Sequence, residues 1–333
     1  MGKILVTGAR GQLGSDLVVA LRQHYGEMEV IETGRQLPGQ VALKQGVSKP
    51  ESLCHQHRSL LYEVLDVTDR PRLQELIQTH QIDTIYHLAG LLSAKGEQQP
   101  NQCWDINING LRNVLEAAKT YGMKVFFPSS IAVFGPHSPK LDTPQITISD
   151  PSTMYGITKL TGELLCHYYA YQWGVDVRSL RLPGIISYNT FLGGGTTDFA
   201  VEMFHAALKN ETYTCFIHPE TRLPMMYISD AIQAILTLMQ ADPAVISIRT
   251  SYNIAAISFS ARELVTEIQK HLPDFVCHYK PDFRQAIADS WPSVIDDSRA
   301  RADWGWRHTY HLPAIVEEML AKLSHKKVLS FEF

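Results

Sequence analysis

"VTGARGQLG", residues 6–14, decides the fold. It follows the β-branched run KILV and leads into QLGSDLVVALRQHY (12–25), whose apolar residues recur at helical spacing. Gly8, Gly11 and Gly14 form a G-x-x-G-x-x-G string between the two. Missing side chains allow a tight turn, let the backbone approach a pyrophosphate and let helix and strand pack closely. The pyrophosphate then rests on the helix N-terminus, where backbone N–H groups lack intrahelical partners. Elsewhere a glycine string means little, but between the first strand and the first helix it points to dinucleotide binding.

Working outward, MEVIETG reads as a second strand and, after a polar loop, LYEVLDVTD as a third. RLQELIQTHQ is a helix, IDTIYHLAG a fourth strand, INGLRNVLEAAKTYG a helix and KVFFPSS a fifth strand. Strands alternating with helices at this spacing imply parallel strands with helical crossovers. The expected class is α/β, a doubly wound parallel sheet of Rossmann type over residues 1–185. The stretch near 34–60, with Pro38, Gly39, Gly46 and Pro50, reads as a surface insertion. From about Thr190 the alternation breaks down, and segments rich in Met, Trp and Pro suggest a smaller substrate-binding lobe over 186–333, some of it returning to the sheet.

Composition narrows the function classes. Hydrophobic residues make up 45% and charged residues 19% of the 333, as in ordinary soluble proteins. A net charge of -4 argues against a general nucleic-acid surface. No run approaches the roughly 18 apolar residues of a membrane span. The opening MGKILVTG goes straight into a strand without a basic and apolar leader, and the five cysteines are scattered. Both fit a reduced, cytoplasmic setting. Cys54, His55 and His57 lie together in CHQH, but no second cluster completes a tetrahedral site, so no metal is expected.

The second chemical signal is MYGITK, where Tyr155 and Lys159 are four apart and share a helix face. A tyrosine is a poor base near neutral pH, because its hydroxyl titrates near roughly 10. A lysine one turn away favours the phenolate and can also hold a cofactor ribose. PSSIAVFG ends the preceding strand with Ser129 and Ser130 at the carboxyl edge of the sheet, where open α/β sheets bind ligands.

These features together resemble the extended short-chain dehydrogenases/reductases, which combine T-G-x-x-G-x-x-G, a strand-end Ser or Thr and Tyr-x-x-x-Lys. The resemblance covers nearly the whole chain. It implies catalytic roles for Tyr155, Lys159 and Ser130. It also implies cofactor contacts from Gly8, Gly11, Gln12, Leu13 and Gly14, from Asp66 and Val67 in VLDVTD, from Leu88 and Ala89 in HLAG, from Asn107 in DINING, and from Leu182 in RLPG. In the second half, LPGIISYNTFLGGGTTDFAVEMF, TCFIHPETRLPMMYISDAI and RTSYNIAAISFS are closely similar to the short-chain-type L-threonine 3-dehydrogenases, as is LSAKGEQQP earlier. That similarity implies NAD-dependent oxidation of L-threonine to L-2-amino-3-oxobutanoate, with Ser93, Gly96, Ser130, Tyr155, Gly195, Thr197 and Trp291 around the substrate. For Trp291 an apolar wall and ordinary core are both open readings. A homodimer is the implied assembly. The competing reading is a nucleotide-sugar epimerase or dehydratase of the same superfamily.

One departure concerns the cofactor. NAD enzymes commonly carry an acid about 20 positions beyond the glycine turn, on the ribose hydroxyls. Here ETGRQ places Gly34 at that point, followed by Arg35. An arginine there can take a 2′-phosphate, so NAD is expected and NADP is not excluded.

Overall fold

The structure is a computed structural model that describes residues 2–37, 61–189 and 195–329. Within these residues lie β1 (Lys3–Thr7), β2 (Val30–Gly34), β3 (Tyr62–Val64), β4 (Ile82–His87), β5 (Lys124–Ser130) and β6 (Val177–Leu182). The chain continues with β7 (Gly184–Ile186), β8 (Tyr213–Cys215), β9 (Arg222–Tyr227), β10 (Tyr252–Asn253), β11 (Ile257–Ser260) and β12 (Cys277–Tyr279). Seven strands form one parallel sheet in the order β10-β6-β5-β4-β1-β2-β3. The order reverses between β1 and β4, which opens a crevice at their carboxyl ends. A smaller sheet, β11-β9-β7, and the pair β12-β8 lie in the C-terminal half.

Both faces of the large sheet are buried. On β1, Ile4 and Val6 join one apolar cluster while Leu5 joins another, the period-two alternation of a strand covered on both sides. Helix Gln12–Tyr25 buries Gly14, Leu17, Val18 and Leu21 on one stripe. Helix Gly110–Tyr121 buries Leu111, Val114, Leu115 and Ala118 and stops at Gly122, which takes a left-handed φ of 69°.

Two elements differ from the sequence expectation. LYEVLDVTD forms strand only over Tyr62–Val64. β3 has a single neighbour, and Asp66 Oδ1 then accepts from both the N–H and the hydroxyl of Thr68, while Asp69 caps the next helix. That side-chain turn competes with strand and ends it. The helix expected from Ile108 is preceded by helix Pro100–Trp104 and a π turn over Asp105–Asn109. The readings for residues 38–60, including Cys54, His55 and His57, lie outside the described residues, as do Gly193 and Gly194 of the glycine-rich loop. Among the described residues no helix is long and apolar enough to cross a membrane, and no group of three or more His, Cys, Asp or Glu could hold a metal.

Candidate active site

The glycine turn is built by close approach. Gly8 has φ +67°, and a Cβ there would stand 2.8 Å from the backbone of Leu88 and Ala89 at the end of β4. A Cβ on Gly14 would lie 2.4 Å from the Gly8 carbonyl. Only bare backbone lets the first helix begin against β1 and β4 at the reversal point. The helix starts at Gly11 with no side-chain cap and no acid in its first turn, leaving that end open to an anion. These features fit a dinucleotide pyrophosphate.

The helix Met154–Trp173 is set against β5 by similar means. Thr153 caps it by accepting from the Gly156 N–H. A Cβ on Gly156 would fall 2.2 Å from the Ala132 carbonyl, so this first turn lies directly on the turn after β5. Tyr155 is thereby brought to Ser130, and Lys159 Nζ donates to the Pro128 carbonyl at 2.6 Å. The ammonium lies 5.6 Å from the Tyr155 ring centre. Burial pushes the Tyr155 hydroxyl up to about 12, opposed by its hydrogen bond with Ser130. Burial pulls the Lys159 ammonium down to about 8. The two groups are thus pushed apart in their titration, a pattern typical of acid–base sites.

A cavity of about 240 Å³ joins these parts. Of the residues singled out in the sequence, Gly8, Gly11, Gln12, Leu13, Gly14, Leu88, Ser93, Ser130, Tyr155, Lys159, Leu182, Gly195, Thr197 and Trp291 line it. Trp291 belongs both to the core, at 6% exposure, and to the cavity wall. The Ser93 hydroxyl lies 3.3 Å from that of Thr196. Gln12 Nε2 donates to the Ile185 carbonyl, tying the first helix to the strand before the glycine-rich loop.

Six of the singled-out residues stand outside this cavity. Asn107 braces the site: its Oδ1 accepts from the Leu91 N–H, and its Nδ2 donates to the Leu91 carbonyl and to Thr158. Gly96 is a packing position, where a Cβ would meet Cys103 Sγ at 3.1 Å and Tyr155 Cβ at 3.5 Å. Val67 is buried against Gly110, and the Ala89 N–H donates to Thr7 Oγ1. Asp66 and Arg35 are exposed at the carboxyl ends of β3 and β2.

Three features escaped the sequence reading. Asp198 lines the cavity, and its carboxylate accepts from the Gly195 N–H at 2.8 Å, closing the turn before helix Phe199–Leu208. His87 is buried against Thr7 Oγ1 at 3.0 Å, and burial with the nearby Lys159 charge pulls it down to about 3, so it is neutral. Beneath the site, Glu163 takes both Arg181 Nε and Arg181 Nη2, at 2.9 and 2.7 Å, and accepts from Ser129 Oγ. Arg181 reaches on to Asn253 Oδ1 and the Gln145 carbonyl. Ser129 on β5, Arg181 on β6 and Asn253 on β10 are direct register partners, so this buried network crosses three strand ends one turn below Lys159.

Comparison with known proteins agrees with this architecture. An uncharacterized epimerase/dehydratase of Staphylococcus aureus is 45% identical over 327 residues, 98% of each chain. A partial-consensus L-threonine 3-dehydrogenase structure superposes with a TM-score of 0.91 at 47% identity, covering 97% of this chain and 99% of that one. A monomeric L-threonine 3-dehydrogenase from a metagenome gives 0.90 at 44% identity, with 97% and 99% covered. Residues 4–255 match the family described as the NAD dependent epimerase/dehydratase family, and the chain belongs to it.

Proposed function

We propose that the protein oxidises L-threonine at its 3-hydroxyl to L-2-amino-3-oxobutanoate with NAD. The observation that carries this reading is the charge pattern of the cavity. Among the described lining residues Asp198 is the one carboxylate, Lys159 the one cation, and the rest of the polar lining is hydroxyls, one amide side chain and backbone. A small zwitterionic alcohol fits such a lining, whereas a nucleotide-sugar diphosphate needs a second phosphate cradle beyond the glycine turn, and the described lining offers no further cation for one. Solved L-threonine 3-dehydrogenases of the same fold at nearly half identity support the same choice.

The geometry supports the following roles. Tyr155 takes the proton of the substrate hydroxyl while the carbon bearing it loses a hydride. The dinucleotide, when bound, supplies the hydride acceptor. Ser130 hydrogen-bonds the same oxygen as it becomes a carbonyl. Lys159 places positive charge beside the phenolate, and Asp198 meets the substrate ammonium. Thr197, Gly195 and Trp291 line the same cavity and would enclose the substrate.

Results of three kinds are expected, the first from two substitutions. Asp198→Asn keeps the shape but removes the charge, and should raise KM for threonine by about 10- to 100-fold, the weight of a charged hydrogen bond. Thr197→Ala should raise KM less and lower kcat, because misplacing a small substrate spoils hydride alignment. Neither should alter dinucleotide affinity; equal loss of both ligands would move these residues to the cofactor.

The second result concerns pH. Tyr155 held at about 12 carries little phenolate at neutral pH, and its base form grows as protons are removed. Therefore kcat/KM should rise from about pH 5 to about pH 7 and level off as Lys159, held at about 8, begins to lose its charge. A profile falling over that interval would exclude Tyr155 as the proton acceptor.

Third, we propose a homodimer. Ile157, Leu164, Tyr168 and Tyr171 form an exposed apolar stripe along helix Met154–Trp173, with Tyr171 80% exposed. A stripe of this length on a surface helix marks an interface, and a second copy would cover it face to face. Since a monomeric relative shares the fold, the pairing would be a property of this surface. Sedimentation should give a dimer that Leu164→Lys converts to monomer; a monomeric parent protein would refute it.

A further inference from the structure

We propose that Arg10, standing beside the side-chain-free Gly34, forms a subsite for a phosphate on the adenosine ribose, so that the protein takes 2′-phosphorylated dinucleotides as well as unphosphorylated ones. The inference rests on the dinucleotide reading and concerns only its adenosine end.

In this fold the acid that selects the free ribose stands at the carboxyl end of the second strand. That end is Gly34, and a side chain there meets the Tyr62 hydroxyl. A Cβ on Gly34 would stand 2.5 Å from the Tyr62 hydroxyl, which donates to the Gln36 carbonyl at 2.8 Å. The preceding acid on β2, Glu32, is 6% exposed and paired with the buried Arg22 at 2.7 Å. It is matched by a cation of its own and turned away from solvent.

Arg10 reaches this same corner. It sits in the glycine turn, which is pinned to β2 by the Ala9 N–H donating to the Thr33 carbonyl at 3.2 Å. Its guanidinium lies 4.8 Å from the centre of the Tyr62 ring, the ring whose hydroxyl closes on Gly34. It touches Glu32 only at the outer limit of an ion pair, 3.9 Å, and its side chain is 37% exposed. Arg35 follows directly on Gly34 and is also exposed. The corner therefore presents Arg10 and Arg35, while Glu32 is already matched by Arg22. A planar guanidinium with several donors matches a phosphate in both charge and geometry. Selectivity against the phosphate needs a repelling group, and the position that would carry one is bare.

Calorimetric titration of the full-length protein with ADP-ribose and with 2′-phospho-ADP-ribose tests the subsite without turnover. The phosphorylated ligand should bind at least as tightly as the plain one. Arg10→Gln should weaken it by about tenfold while leaving ADP-ribose within about twofold. A phosphorylated ligand bound more than about threefold weaker by the parent protein overturns the proposal, as does an Arg10→Gln variant that weakens it by less than that or weakens both ligands alike. If neither ligand binds, the dinucleotide reading itself fails. The double variant Gly34→Asp/Tyr62→Phe makes room for the missing carboxylate and should bind ADP-ribose but lose the phosphorylated ligand; retention of both would also overturn the subsite.

Discussion

Tyr155→Phe is expected to lower kcat by about 10²–10⁴-fold, the usual weight of a positioned proton acceptor. The substitution removes one oxygen and leaves the ring against Ser130 and Lys159, so dinucleotide affinity and thermal stability should stay near those of the parent. The size of the loss follows from the site. Among the described residues lining the cavity, the other ionisable groups are Lys159, hydrogen-bonded to the Pro128 carbonyl, and Asp198, engaged by the Gly195 N–H. Neither is positioned as Tyr155 is, next to Ser130. Should the variant retain more than about a tenth of parental activity, another group must take the proton.

Glu163→Gln is expected to destabilise the protein by about 3–5 kcal/mol, because it leaves a buried guanidinium without its counter-charge. Glu163 and Arg181 have side-chain exposures of 1% and 7%, so little solvent screens them. The paired replacement Glu163→Leu/Arg181→Met should recover part of the loss, since it removes both charges but leaves Ser129, Asn253 Oδ1 and the Gln145 carbonyl without these partners. Urea denaturation checks both. A single variant losing less than about 1 kcal/mol would mean that water reaches the pair. Because Ser129 hangs on the same carboxylate, the single variant should also loosen the strand end that presents Ser130.

Much of the first half was legible in the chain. The helix read from QLGSDLVVALRQHY coincides with the observed Gln12–Tyr25. A glycine turn starts it, one apolar stripe drives it, and Gly26 ends it, all of them local signals. The Tyr155 and Lys159 pair was legible for the same reason, being one turn apart on one helix. β3 was overread because apolar residues continue past Val64, while the Asp66–Thr68 turn depends on side-chain competition that periodicity does not register. The return of Tyr252–Asn253 to the large sheet left no periodic trace in two residues.

The missed site residues were of another kind. Glu163 and Arg181 are 18 positions apart on a helix and a strand, and only folding makes them partners. Asn107 and Gly96 were named by resemblance, and the structure places both in the frame around the cavity rather than on its wall. Asp198 had a local signal, as the acid closing GGGTTD, but its carboxylate gains meaning only as the one acid among the described residues of the cavity wall.

The central claim is that this cavity turns over L-threonine rather than a nucleotide sugar. Its most direct test is the appearance of reduced nicotinamide when the purified protein is mixed with NAD and L-threonine, beside parallel reactions with UDP-glucose, in which epimerised product is also sought. The account predicts threonine-dependent reduction that vanishes in Tyr155→Phe, and no conversion of the sugar nucleotide. Conversion of the sugar nucleotide with no reduction by threonine would contradict it.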